Sequence, residues 1–221
     1  MRARFITFEG GEGGGKSTQT KLLASRLEER NIDVVLTREP GGSPGAEIIR
    51  HVLLSGAAKP LGAETEAILF AAARDDHVRT TIAPALAAGK WVICDRFMDS
   101  TRVYQGILGH VDARVIRGLE RVTIGSLTPD LTFIMDVPAD VGLARAKGRR
   151  GTGHADRFEA EALEFHEHLR RAFATLAKLD PDRCVLIDAT QPIEAVRDKI
   201  WQIVNERLAL SDAEPAGVSA P

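Results

Sequence analysis

Short apolar runs separated by amphipathic stretches organise this chain. The runs fall at residues 5–8, 34–37, 91–94, 131–137 and 185–187, each short enough for a strand and apolar enough to be covered on both faces. Between them the periodicity becomes that of a helix. Residues 19–30 carry Leu22, Leu23 and Leu27 at helical spacing, and residues 66–79 and 160–179 repeat the pattern with charged opposite faces. This alternation predicts an α/β fold: a five-stranded parallel sheet with helices on both faces. Ligands of such sheets bind outside the carboxyl ends of the strands.

Composition narrows the picture. With 221 residues and 44% hydrophobic content the chain suits one domain, read here as residues 1–210, followed by a disordered tail at 211–221 rich in Ala, Pro, Gly and Ser. Basic and acidic residues nearly balance, 29 against 31, so nothing argues for nucleic acid or an acidic membrane surface, and a small substrate is expected. Met1-Arg2-Ala3-Arg4 runs straight into the first strand and no apolar run reaches transmembrane length, which predicts a cytoplasmic protein. Cys94 and Cys184 fall in runs predicted to be interior strands, where a cysteine is a small hydrophobe rather than a disulfide partner or metal ligand.

The chemistry begins directly after the first run. Gly10-Gly11-Glu12-Gly13-Gly14-Gly15-Lys16-Ser17 matches G-x-x-x-x-G-K-[ST], a phosphate-binding loop that continues through Thr18. Its glycines let backbone N–H groups converge, Lys16 reaches β and γ phosphates, and the Ser17 hydroxyl can ligate Mg²⁺. A helix starting near Lys16 adds its positive dipole end.

Four further segments carry candidate functional residues. In Thr37-Arg38-Glu39-Pro40-Gly41-Gly42-Ser43-Pro44, Arg38 offers a planar fork to a phosphate, and the prolines and glycines make a rigid loop that permits close approach. The apolar run at 91–94 ends in Asp95-Arg96. The aspartate can hold Mg²⁺ through water and the arginine can bridge two phosphates. Beyond them Ser100, Thr101, Tyr104 and Gln105 share one helical face, presenting hydroxyls and an amide to a base edge. Phe70 and Arg74 lie four apart on a predicted helix, so the ring can stack on a base while the guanidinium donates to its carbonyl. Residues 146–159 include Arg149, Arg150 and Arg157 among glycines, a composition suited to a mobile lid whose cations neutralise a transferring phosphoryl group.

Together these residues resemble the thymidylate kinase family over nearly the whole chain. The match rests on Phe5-Ile6-Thr7-Phe8-Glu9-Gly10 with the phosphate loop, on Thr37-Arg38-Glu39-Pro40-Gly41-Gly42, and on Asp95-Arg96-Phe97 followed by Ser100, Tyr104 and Gln105. The resemblance implies a P-loop NTPase fold, an arginine-bearing lid, ATP and Mg²⁺ as cofactors, dTMP as acceptor, and a homodimer. By it, Phe70 would stack on thymine, Arg74, Thr101 and Gln105 would read the base, and Tyr104 would crowd the 2′ position. Arg38 and Arg96 would hold the acceptor phosphate, Glu9 would face the 3′-hydroxyl, and Lys16, Arg96, Arg149 and Arg150 would be catalytic. The phosphate loop contains no arginine, so the chain is similar to the bacterial members that place catalytic arginines in the lid. Two alternatives stay open at this point. One is a kinase of another nucleoside monophosphate. The other is a nucleotide-dependent switch, against which stand the absence of D-x-x-G and of a guanine-reading N/T-K-x-D.

Overall fold

The computed structural model describes residues 2–150 and 157–208, the side chain of Arg150 excepted. Residues 151–156 of the expected lid and the tail at 211–221 lie outside the described residues. Five strands, β1 (Phe5–Glu9), β2 (Val34–Arg38), β3 (Trp91–Asp95), β4 (Leu131–Asp136) and β5 (Cys184–Asp188), form one parallel sheet in the order β2-β3-β1-β4-β5. The central strands β1, β3 and β4 are buried almost throughout, whereas the edge strands β2 and β5 are half covered. Cys184 is therefore buried on an edge strand, not an interior one, while Cys94 sits in the interior strand β3; both thiols are free.

Strand alternation assigns each layer. Ile6 and Phe8 of β1, Trp91 and Ile93 of β3 and Phe133 and Met135 of β4 pack with Leu23 and Leu27 of α1 (Lys16–Glu28) and with Ile200, Trp201 and Val204 of α9 (Ile193–Leu208). The opposite face is shared. Phe5, Val92, Cys94 and Phe97 pack with Val78 and Ile82, and Ile134 packs with Leu169 and Phe173 of α8 (Leu163–Leu179). On this second face β1 also carries Thr7 and Glu9, both buried; the Thr7 hydroxyl is satisfied by Thr132 at 2.7 Å.

The chain leaves β1 towards β2 through α1 but leaves β3 towards β4 on the other side. The carboxyl ends of the adjacent strands β1 and β3 therefore open a crevice at the switch point. The remaining helices frame it: α2 (Pro44–Leu54), α3 (Gly62–His77), α4 (Ala83–Ala87), α5 (Met98–Thr101), α6 (Ala113–Thr123) and α7 (Ala139–Arg150). Two departures from regular periodicity appear where the sequence predicts plain α-helix. Val78–Ile82 extends α3 and Arg102–Leu108 extends α5, each with the wider π-type turn, a geometry that side-chain spacing does not reveal. No described helix is long and apolar enough to cross a membrane.

Candidate active site

The phosphate loop spans the end of β1 and the start of α1. Gly13 has φ +66°, and a Cβ there would overlap the carbonyl oxygen of Gly142 in α7, so the loop is seated directly on the helix that leads into the basic segment. Lys16 is buried, and its Nζ donates to the carbonyl oxygens of Gly10 at 3.1 Å and Gly11 at 2.6 Å. Burial, then the neighbouring Arg96 charge, brings its pKa down to about 8. Ser17 Oγ donates to Asp95 Oδ2 at 2.5 Å, so the hydroxyl and carboxylate expected at a metal stand side by side. Among the described residues no cluster of three or more His, Cys, Asp or Glu could cage an ion. One hydroxyl and one carboxylate suit Mg²⁺, which takes its other ligands from phosphates and water.

Arg96 stands at the mouth of β3 with φ +69°, an uncommon conformation for a residue with a side chain. Backbone bonding holds it there: its N–H donates to Phe8 O at 2.8 Å and its carbonyl accepts from the Cys94 thiol at 3.0 Å. The guanidinium donates to Gly10 O and Ser100 Oγ, forms an ion pair with Glu12, and lies 5.3 Å from the centre of the Tyr104 ring. Glu12 is correspondingly a firm carboxylate. Burial opposes ionisation, but Arg96, Lys16, His166 and Arg149 outweigh it and bring its pKa down to about 2.

Glu9 is placed differently from the expectation. It is fully buried and does not line the large cavity. Its carboxylate accepts from Phe97 N at 2.7 Å and from Ser100 Oγ at 2.6 Å. Burial and the nearby Asp99 charge nevertheless raise its pKa to about 7. The acids that do line the cavity are Glu12, Glu39 and Asp95.

The large cavity encloses about 990 Å³, its open mouth included. Gly13 to Ser17, Arg38, Phe70, Arg74, Asp95, Arg96, Thr101, Tyr104, Gln105 and Arg149 all line it, so residues from five separated sequence segments converge. Arg74 is almost wholly buried; it donates to Glu39 Oε2 at 2.8 Å, Phe97 O at 3.1 Å and Thr101 Oγ1 at 3.0 Å. Glu39 in turn meets His77 Nδ1 at 3.0 Å, and His77 Nε2 meets Thr37 Oγ1 at 2.7 Å. Arg38 is half exposed and paired with Glu47 at 2.8 Å.

Two features escape sequence reasoning. Phe158 enters the cavity wall between Phe70 and Tyr104, with ring centres 6.0 and 5.3 Å away. Its one sequence signal is being the sole aromatic in a basic, glycine-rich stretch. Arg157 beside it is turned from the cavity towards Glu66 at 3.0 Å and Glu161 at 3.3 Å. Arg149 reaches the cavity, while the Arg150 side chain lies outside the described residues.

The family model for thymidylate kinase matches residues 8–200. A thymidylate kinase of a Bradyrhizobium species is 63% identical over 207 residues, covering 94% of this chain and 92% of that one. One from Rhodopseudomonas palustris is 59% identical over 221 residues, covering 100% and 94%. A crystal structure of thymidylate kinase from Ehrlichia chaffeensis superposes with a TM-score of 0.73 at 36% identity, covering 93% of this chain and 99% of that one.

Proposed function

This chain belongs to the thymidylate kinase family, and on that premise we propose that the large cavity seats ATP and dTMP together for transfer of the γ-phosphoryl group, giving dTDP and ADP. The chain is a kinase that uses ATP to phosphorylate dTMP. The observation that supports the site is convergence: a phosphate loop, five arginines (Arg38, Arg50, Arg74, Arg96 and Arg149) and an aromatic pocket with buried polar readers share one cavity.

The residues divide the work. Gly10 to Thr18 cradle the ATP phosphates, with Lys16 leaving the Gly10 and Gly11 carbonyls for the β and γ oxygens. Ser17 and Asp95 would hold Mg²⁺. When bound, that ion neutralises charge on the β and γ phosphates. Phe70, Tyr104 and Phe158 form an aromatic pocket for thymine. Arg74, oriented by Glu39, and Gln105 and Thr101 read its polar edge. Arg38 and Arg96 hold the acceptor phosphate, and Arg149, with Arg150, supplies charge from the lid. Glu12 presents a carboxylate to the acceptor, whereas Glu9 shapes the turn at Phe97 and Ser100.

No strong base is needed. A phosphate monoester has its second pKa near 6, so at neutral pH the acceptor oxygen is already largely anionic. That oxygen attacks the γ-phosphorus in line, and the bond to the β–γ bridging oxygen breaks as ADP leaves.

The reading extends to one kinase domain ending near residue 210, to a cytoplasmic location favoured by the need for ATP, and to a homodimer. Ile48 and Val52 of α2, Ile68 of α3 and Val115 and Val122 of α6 support the last: all are exposed, on helices that pack against one another. The test of function is ADP release from ATP with dTMP, dUMP, UMP, CMP, AMP and GMP offered in turn. Preference for dTMP is expected. Turnover confined to another acceptor overturns the thymine pocket, and no turnover with any acceptor overturns the site.

A further inference from the structure

Arg74 and His77 stand on one face of α3, a turn apart, and both side chains end on Glu39. All three are buried, His77 completely. The donors of Arg74 are nearly used up: Nε donates to Glu39 Oε2, and Nη2 donates to Phe97 O and Thr101 Oγ1. Among the described residues Nη1 is the guanidinium nitrogen with no protein acceptor, and Arg74 lines the large cavity. The planar fork is thus held in one orientation, which leaves Nη1 for a ligand.

Glu39 fixes the fork, and His77 fixes Glu39. A carboxylate only accepts, so the contact of Glu39 Oε1 with His77 Nδ1 at 3.0 Å puts the hydrogen on Nδ1. The other side of the ring is closed. Nε2 meets Thr37 Oγ1 at 2.7 Å, and a Cβ on Gly42 would lie 2.4 Å from it, so the loop between β2 and α2 backs the imidazole. With Oε1 taken by the ring, a single carboxylate oxygen is left for Arg74. Without the Nδ1 donor, Oε1 would be a buried acceptor in want of a partner. The nearest remedy is a bidentate grasp of the arginine through both oxygens, and that grasp would turn the fork.

We infer that His77 is a positioning residue for base recognition: its Nδ1–H limits Glu39 to a one-oxygen contact with Arg74 and so keeps Nη1 of Arg74 set to donate to a pyrimidine carbonyl. The consequence is selectivity. Thymine presents a carbonyl where cytosine presents an amine, and a fork that has turned no longer tells the two apart. The inference rests on the assignment of Arg74 to the base.

The test compares the inhibition constant of dCMP, measured by competition, with KM for dTMP, and follows their ratio across variants. His77→Phe keeps a ring and removes the donor. The ratio should fall about tenfold, the scale of one misplaced hydrogen bond, with KM for ATP unchanged. His77→Asn sets an amide N–H where Nδ1 stood and should bring the ratio back to within about threefold of the wild type, whereas His77→Gln carries its amide to the place of Nε2, meets Thr37 instead of Glu39, and should not. A merely structural role would weaken both nucleotides alike. An unchanged ratio in His77→Phe, or equal ratios in His77→Asn and His77→Gln, therefore overturns the inference. Arg74→Gln separates the two layers: a wild-type ratio in that variant sinks the base assignment itself, whereas a collapsed ratio there beside a normal one in His77→Phe sinks the role of His77 alone. Should His77→Phe not fold, the two amide variants decide. A higher ratio in His77→Asn than in His77→Gln supports the inference, and an equal or lower one refutes it.

Discussion

Lys16 and Glu9 are buried groups displaced in opposite directions, so each has its own pH signature. Lys16 titrates at about 8 when no phosphate is present, and only its ammonium form attracts ATP. The kcat/KM for ATP should therefore fall as pH rises through about 8, while kcat, read on the complex in which phosphates restore the charge, stays flat over that range. A kcat/KM profile level to pH 9.5 would contradict the assignment. For Glu9 the folded pKa of about 7 lies above the ordinary 4.5. Between these values the unfolded chain ionises while the folded chain stays protonated, so this group's contribution to stability is full below pH 4.5 and is lost as pH rises to 7. Glu9→Gln should remove that slope, worth about 3 kcal/mol across the window, and parallel melting-temperature curves for the two proteins would show that Glu9 does not carry it. Arg96→Ala and Lys16→Ala should each cost at least about a hundredfold in turnover, the scale of one lost transition-state charge contact; retained wild-type rates would overturn both roles.

Among the elements, the loop between β2 and α2 is where sequence legibility and its limit meet. The phosphate loop, the Arg38 segment and the Asp95-Arg96 pair were readable because their chemistry is local: consecutive residues at a strand end. What fastens the Arg38 loop to α3 was not readable, because those partners are 33 to 40 positions away. Ser43 donates to Asp76 and Thr37 meets His77, both on α3, and Glu39 links that helix to Arg74. Phe158 escaped for the same reason, since its ring partners belong to α3 and the π-type segment after α5. Gly42 sits at the knot, with φ +84° and a hypothetical Cβ overlapping both His77 Nε2 and Thr37 Oγ1. Gly42→Ala should therefore destabilise the fold by about 1–3 kcal/mol. By displacing the His77–Glu39–Arg74 chain it should also raise KM for dTMP more than KM for ATP. Equal effects on the two substrates would argue that the loop does not orient the base reader.

At the level of the whole molecule the sheet order explains why one crevice collects the chemistry, since β1 and β3 are adjacent and send their connections to opposite sides. The alternation of runs and helices predicts parallel strands but not this order, which depends on crossovers that leave no local pattern. The same global view bears on assembly. Helix α3 packs against both α2 and α6, and Ile48 of α2 and Val122 of α6 are 72% and 78% exposed. Scattered exposed apolar residues are ordinary, but five on α3 and the two helices packed against it are what a helical twofold interface would draw on. A stable dimer needs about 800 Å² buried per partner, an area that a three-helix face can supply. Val122→Glu places a charge at the most exposed of these positions, where the isolated chain has nothing to clash with it. If the face joins two copies, the substitution should convert a dimer to a monomer in sedimentation velocity while leaving the melting transition of the monomer cooperative. A wild-type chain that sediments as a monomer at micromolar concentration, or a Val122→Glu protein that remains dimeric, would remove this face from consideration. Because α3 also carries Phe70 and Arg74 into the cavity, a dimer closed through α3 would brace the base pocket from behind. The monomeric variant is then expected to show a raised KM for dTMP with KM for ATP unchanged.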